Sequence, residues 1–168
     1  MKIEVKNIKT NMAFSEETIC FMADVYVNGK KVFYAKNDGH GGMTSIMPYG
    51  IDERKIYHEA IEYLSSIAKD EYEKKYPLQY FVDDIINDYV NERERKKFLD
   101  KMEKDAKKYL VIHKDDIHSY SKIKWGKFTI DELLKIDDGR KAIKNSVIKY
   151  RDMGYKIYNT NIPAELLN

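Results

Sequence analysis

Residues 18–37, TICFMADVYVNGKKVFYAKN, hold two strand-like apolar runs on either side of Asn28-Gly29. A two-residue Asn-Gly loop is the strongest short hairpin signal, because a type I′ turn needs positive φ at both central positions. With that loop as the turn, Val25 is expected opposite Val32, Ala23 opposite Tyr34, Phe21 opposite Lys36, and Asn37 opposite Cys20. Phe21, Ala23, Val25, Val32 and Tyr34 then share the face that meets the core. Upstream, MKIEVKNIKT alternates Ile3, Val5 and Ile8 with polar neighbours, so the N-terminal part reads as an antiparallel β-meander.

Downstream the period changes. Tyr57, Ala60, Ile61, Leu64, Ile67 and Ala68 recur at helical spacing, predicting a helix over about 52–75 with Asp52 as N-cap and Pro77 closing it. A second helical stretch, about 78–107, presents Leu78, Phe81, Val82, Ile85 and Tyr89 on one face. NERERKK interrupts that stripe before Phe98, Leu99, Met102 and Ala106, leaving a bend or two helices open. YLVIH at 109–113 reads as a short strand, with SYSKIKW as its continuation. Thr129 and Glu132 have capping-box spacing ahead of a short helix to about 136. Another helix follows from about 139 to 153 with Ile143, Val147 and Tyr150 inward, and Gly154 as its C′ residue. YKIYNTNIP is a terminal strand or extended arm. The expected class is α+β in a single domain over 1–168, with an N-terminal sheet (1–50), central helices (51–108) and a C-terminal αβ portion (109–168).

Composition removes several classes. The only cysteine, Cys20, excludes an internal disulfide framework and a cysteine-rich zinc site, and its apolar run predicts an inert buried thiol. No apolar run reaches the roughly 18 residues of a membrane span, and MKIEVKNIKT is no signal core, so no membrane partner and a cytoplasmic location are expected. The net charge of +2 gives no global field toward nucleic acid, which is not an expected partner, although local patches could act.

The chemistry concentrates in YAKNDGHGGMTSIMPYG, residues 34–50. As a ligand loop, Asn37, Asp38, Gly39, His40, Gly41 and Gly42 would converge backbone N–H groups on an anion. Thr44 would add a hydroxyl, Lys36 and Arg54 charge, and His40 a stacking or donating ring. Neither a Walker A loop nor a dinucleotide fingerprint is present. As a metal or hydrolytic site, Asp38 and His40 compete with His58 and with His113, Asp115, Asp116 and His118 in HKDDIHSY. As a turn, Asn37 or Asp38 would cap the chain, glycines would take positive φ, and a close backbone contact would require them. Tyrosine is the other excess, 14 residues, with Tyr63, Tyr72, Tyr76 and Tyr80 near Pro77, where an oligomer or partner interface could form.

The stretches SEETICFMADVYVNGKK, NDGHGG and TIDELLK…GRKAIKNSVIKY…YNTNIP resemble a group of small uncharacterised accessory proteins of bacteriophages and bacterial mobile elements. The resemblance implies a counter-defence setting in a bacterial host and carries no residue roles. The expected function is non-enzymatic binding of a small phosphorylated or nucleotide-type ligand, sequestering a host immune signal. The alternative is a protein-binding inhibitor of a host defence enzyme acting through the tyrosine-rich helices; a metal-dependent hydrolase comes third. No catalytic residue, metal ligand or cofactor is assigned.

Overall fold

The computed structural model describes residues 1–114 and 118–167, and the fold is α+β. The chain divides into two compact units, Met1–Arg93 and Glu94–Asn168.

In the first unit, β1 (Ile3–Thr10), β2 (Phe21–Val27), β3 (Lys30–Asn37) and β4 (Ser45–Pro48) form an antiparallel sheet in chain order. The β2–β3 turn is the expected one: Asn28 and Gly29 have φ of 49° and 83°. The register differs by one residue, because the pairing shifts between Val25 and Tyr26. Val25 therefore faces Phe33, Ala23 faces Ala35, and Phe21 faces Asn37. A bulge adds a residue to one strand, so Phe33, Ala35 and Asn37 turn inward and Tyr34 turns toward solvent. The fourth strand, SIMP, has no alternating run long enough to read from sequence.

Helix α1 (Glu53–Ile67) covers the inner face with Ala60 and Leu64. Asp52 is itself helical and makes no side-chain cap, contrary to expectation. The stretch expected to stay helical to residue 75 breaks at Ala68, whose ψ is 141°. The Asp70 carboxylate accepts from Tyr72 N (2.8 Å) and Glu73 N (2.9 Å) and starts a new helix, α2 (Glu71–Lys75). Pro77 opens α3 (Pro77–Ala106) instead of merely closing the preceding helix, a position that needs no N–H donor. The 30-residue helix α3 is continuous through NERERKK and passes the boundary between the units. Its buried stripe in the first unit is Leu78, Val82, Ile86 and Val90; Phe81 and Ile85 are half-buried and Tyr89 is exposed.

In the second unit, β5 (Leu110–His113) pairs antiparallel with β6 (Tyr120–Ile123) and β7 (Lys156–Ile157). The helices are α4 (Ile130–Leu133), α5 (Asp137–Asp152) and α6 (Ala164–Leu167), and Ile130, Leu133, Ile143, Val147 and Leu166 build the core with Leu110 and Ile112. The Thr129–Glu132 capping box forms in both directions. Helix α5 ends as expected at Gly154: Gly154 N donates to Arg151 O and Tyr155 N to Tyr150 O, the paired bonds of a Schellman motif. Buried Asn159 fastens the terminal arm, donating to Ala106 O (2.6 Å) and Tyr109 O (2.8 Å) and accepting from Val111 N (2.7 Å).

Candidate functional site

The strand alternation of β3 turns the Asn37 side chain inward at the strand end, where one amide organises the whole glycine loop. Its Oδ1 accepts from Thr18 Oγ1 (2.8 Å) and Gly39 N (2.9 Å). Its Nδ2 donates to Gly42 O (2.8 Å) and Thr44 Oγ1 (3.3 Å). These four bonds use the full capacity of a carboxamide. Gly39 has φ of 94°, and its carbonyl accepts from the amides of Glu16, Glu17 and Thr18. A Cβ there would lie 1.9 Å from Phe14 O. The need for glycine at this position thus comes from a backbone passing against backbone. Gly41 N donates to Thr18 Oγ1, and Gly42 faces open space.

The side chains expected around a ligand are spread out. Lys36 lies 3.7 Å from the exposed Asp38 carboxylate. His40 Nδ1 lies 3.1 Å from Glu16 Oε2, both groups facing solvent. Arg54 is exposed on the first turn of α1. Thr44, expected to offer a free hydroxyl, is buried and donates to Asp83 Oδ1 at 2.5 Å. Cys20 is partly exposed just before β2, where a fully buried thiol was expected.

A cleft of about 420 Å³ opens beside the loop, between the β1–β2 connection and α3. Of the expected ligand residues, Asn37 and Gly42 line it; Lys36, Asp38, Gly39, His40, Gly41, Thr44 and Arg54 do not. Its remaining polar wall comes from Ser15, Glu16, Glu17 and Thr18 and from Asp83 and Asn87 on α3, over Phe21 and Ile86. Burial raises the Asp83 carboxyl above its ordinary value; the Thr44 hydrogen bond works against this, and neighbouring Asp84 adds to it. Three carboxylates and no Lys, Arg or His line the cleft, so its field opposes a phosphate and favours cations and N–H donors. Sequence reasoning missed Asp83 and Asn87, although their i, i+4 spacing beside the Val82–Ile86 stripe is a readable signal.

Of the other histidines, His58 lies on α1 and His113 and His118 belong to the second unit. His113 is buried on β5, its Nδ1 2.6 Å from Lys114 O and its ring edge-on to Tyr158. His118 is exposed, and Asp115 and Asp116 lie outside the described residues. His58 packs edge-on against Tyr57. Among the described residues, no three His, Cys, Asp or Glu side chains come together as metal donors, and no helix is long and apolar enough to cross a membrane. Of the tyrosine cluster, Tyr63 packs on the core and Tyr76 is half-buried, while Tyr72 is 72% exposed. No protein-family model matches the chain, and no curated protein or solved structure matches it either.

Proposed function

We propose that the protein is a non-enzymatic binder that holds a small ligand rich in N–H donors in the cleft beside the Asn37 loop. The carrying observation is the lining: Glu16, Glu17 and Asp83 supply acceptors, and the Asn87 amide can both donate and accept. Within the nucleotide-type class expected from sequence, this chemistry suits the amino and ring N–H groups of a base, with charged phosphates directed away from the carboxylates. Sequestration of a host immune signal by a phage accessory protein is the setting that the sequence resemblance implies.

Calorimetric titration of the full chain with nucleosides, their mono- and diphosphates, inorganic pyrophosphate and a primary amine tests this. Nucleosides or amine should bind and pyrophosphate should not, with affinity falling at least tenfold in Asp83→Asn and Asn87→Ala. Pyrophosphate binding as tight as any nucleoside, or binding indifferent to both substitutions, would sink the reading. A second reading, protein-binding inhibition, is favoured by the exposure of Tyr72 beside half-buried Tyr76. It predicts a complex lost in Tyr72→Ala and no small-molecule affinity.

A further inference from the structure

The side of the four-stranded sheet turned away from α1 and α3 has a regular composition that the cleft does not use. The strand register arranges its outward residues in three rows across the sheet. The first is Lys9, Met22, Lys36 and Ser45; the second is Lys6, Asp24, Tyr34 and Met47. The third is Glu4, Tyr26 and Lys31, with Tyr49 following just past β4. Met22, Met47 and Tyr49 are each about half exposed, at 49%, 47% and 50%, whereas Tyr26 and Tyr34 are partly buried between their neighbours.

Its charges are biased. Four lysines stand against two carboxylates in these rows: Lys6 and Lys31 pair with Glu4 and Asp24, and Lys36 lies 3.7 Å from a third carboxylate, Asp38, just past β3. Glu4 is bridged by Lys2 (3.1 Å) and Lys6 (3.4 Å). Burial opposes ionisation of Asp24, yet hydrogen bonds from Tyr49 (2.6 Å), Asn7 (2.7 Å) and Lys31 hold its carboxyl below the ordinary value. Two of these lysines also sit over aromatic rings: Lys6 Nζ is 4.8 Å from the Tyr26 centroid, and Lys31 Nζ is 4.6 Å from that of Tyr49. Lysine beside every tyrosine row is an unusual lining for a protein interface, whose core is depleted of lysine. It fits a polyanion that also offers flat faces to stack.

We infer that this open sheet face binds single-stranded nucleic acid, stacking bases on Tyr26, Tyr34 and Tyr49 and neutralising phosphates with Lys6, Lys9, Lys31 and Lys36. A duplex hides its base faces, whereas a single strand can lay about two or three bases on a sheet of this width. The chain's small net charge conceals the asymmetry, because the carboxylates that cancel it lie mostly elsewhere.

The test is fluorescence anisotropy of the full chain with labelled twelve-nucleotide oligo(dT) and oligo(U), from 50 to 300 mM salt. Binding should weaken with salt with a log–log slope of about −3, the value for roughly four neutralised phosphates on a single strand. Lys36→Glu should weaken binding and flatten that slope. Tyr34→Ala, which removes no hydrogen bond, should weaken binding about tenfold while leaving the slope unchanged. Lys124→Glu, in the second unit, should change neither, and thermal unfolding confirms that each variant folds. Equal affinity for a duplex, or binding indifferent to both face variants, overturns the inference. So does the absence of any anisotropy change when a photo-crosslinker at position 34 captures a protein instead.

Discussion

Replacing Gly39 with alanine places a methyl group where the chain has no room and in a backbone region alanine avoids. The φ of 94° alone costs about 1–2 kcal/mol for a residue with a Cβ. The new Cβ would start 1.9 Å from Phe14 O, so the two backbone segments must separate by more than an ångström. That movement draws the residue-39 carbonyl away from the amides of Glu16, Glu17 and Thr18, now at 2.9, 3.1 and 3.3 Å. Losing two of these bonds at about 0.5–1.5 kcal/mol each brings the total to roughly 2–5 kcal/mol. Urea unfolding followed by circular dichroism reads this as a lower midpoint, and hydrogen exchange should show protection lost first at residues 16–18. Gly42→Ala is the matched control: nothing lies within 4 Å of its added Cβ, and it should stay within about 0.5 kcal/mol of wild type. A Gly39→Ala protein with an unchanged midpoint and unchanged protection at those amides would refute the account of the loop.

Asn37→Asp keeps the shape but replaces two donors with acceptors facing Gly42 O and Thr44 Oγ1, and should cost about 1–3 kcal/mol by thermal unfolding. Asp83 has a raised carboxyl pKa, so folding favours its protonated form: that contribution is complete below the unfolded value and is lost as pH rises through the folded one. Asp83→Asn should therefore be more stable than wild type near pH 7, with the advantage shrinking on acidification toward pH 4; an advantage that grew on acidification would contradict the sign. Thr129→Ala removes a capping box formed in both directions and should lower stability by about 1 kcal/mol, with Thr129→Ser largely retaining it.

The parts of the fold that local chemistry dictates were readable. Asn28-Gly29, the Thr129–Glu132 box and the Gly154 terminus each act over a few residues, and each forms as expected. Register was harder, because the irregularity at Val25–Tyr26 depends on how β2 and β3 pack, and one added residue turns Phe33 inward in place of Tyr34. The helix read as continuous to residue 75 failed where Asp70 offers the backbone a better start than Asp52 does. In the glycine loop, the turn among its three readings accounts for the geometry, with Gly39 at positive φ against the Phe14 carbonyl. Its organising group could not be identified from spacing alone: Asn37 reaches Thr18, nineteen residues away in sequence, and Asp83 joins through Thr44 across thirty-nine. Lys36, His40 and Arg54 are near the loop in sequence, but each finds a different environment once the strands and α1 are in place.

The loop separates what holds it from what it displays. Asn37, Gly39 and Thr44 are buried anchors, whereas Asp38, His40, Gly41, Gly42 and Met43 are exposed. Such a division makes residues 38–43 a natural display scaffold. Randomising Asp38, His40, Gly42 and Met43 while keeping the three anchors and Gly41, whose φ of 86° favours glycine, would vary the chemistry presented at the rim of the cleft without changing the path of the chain that presents it.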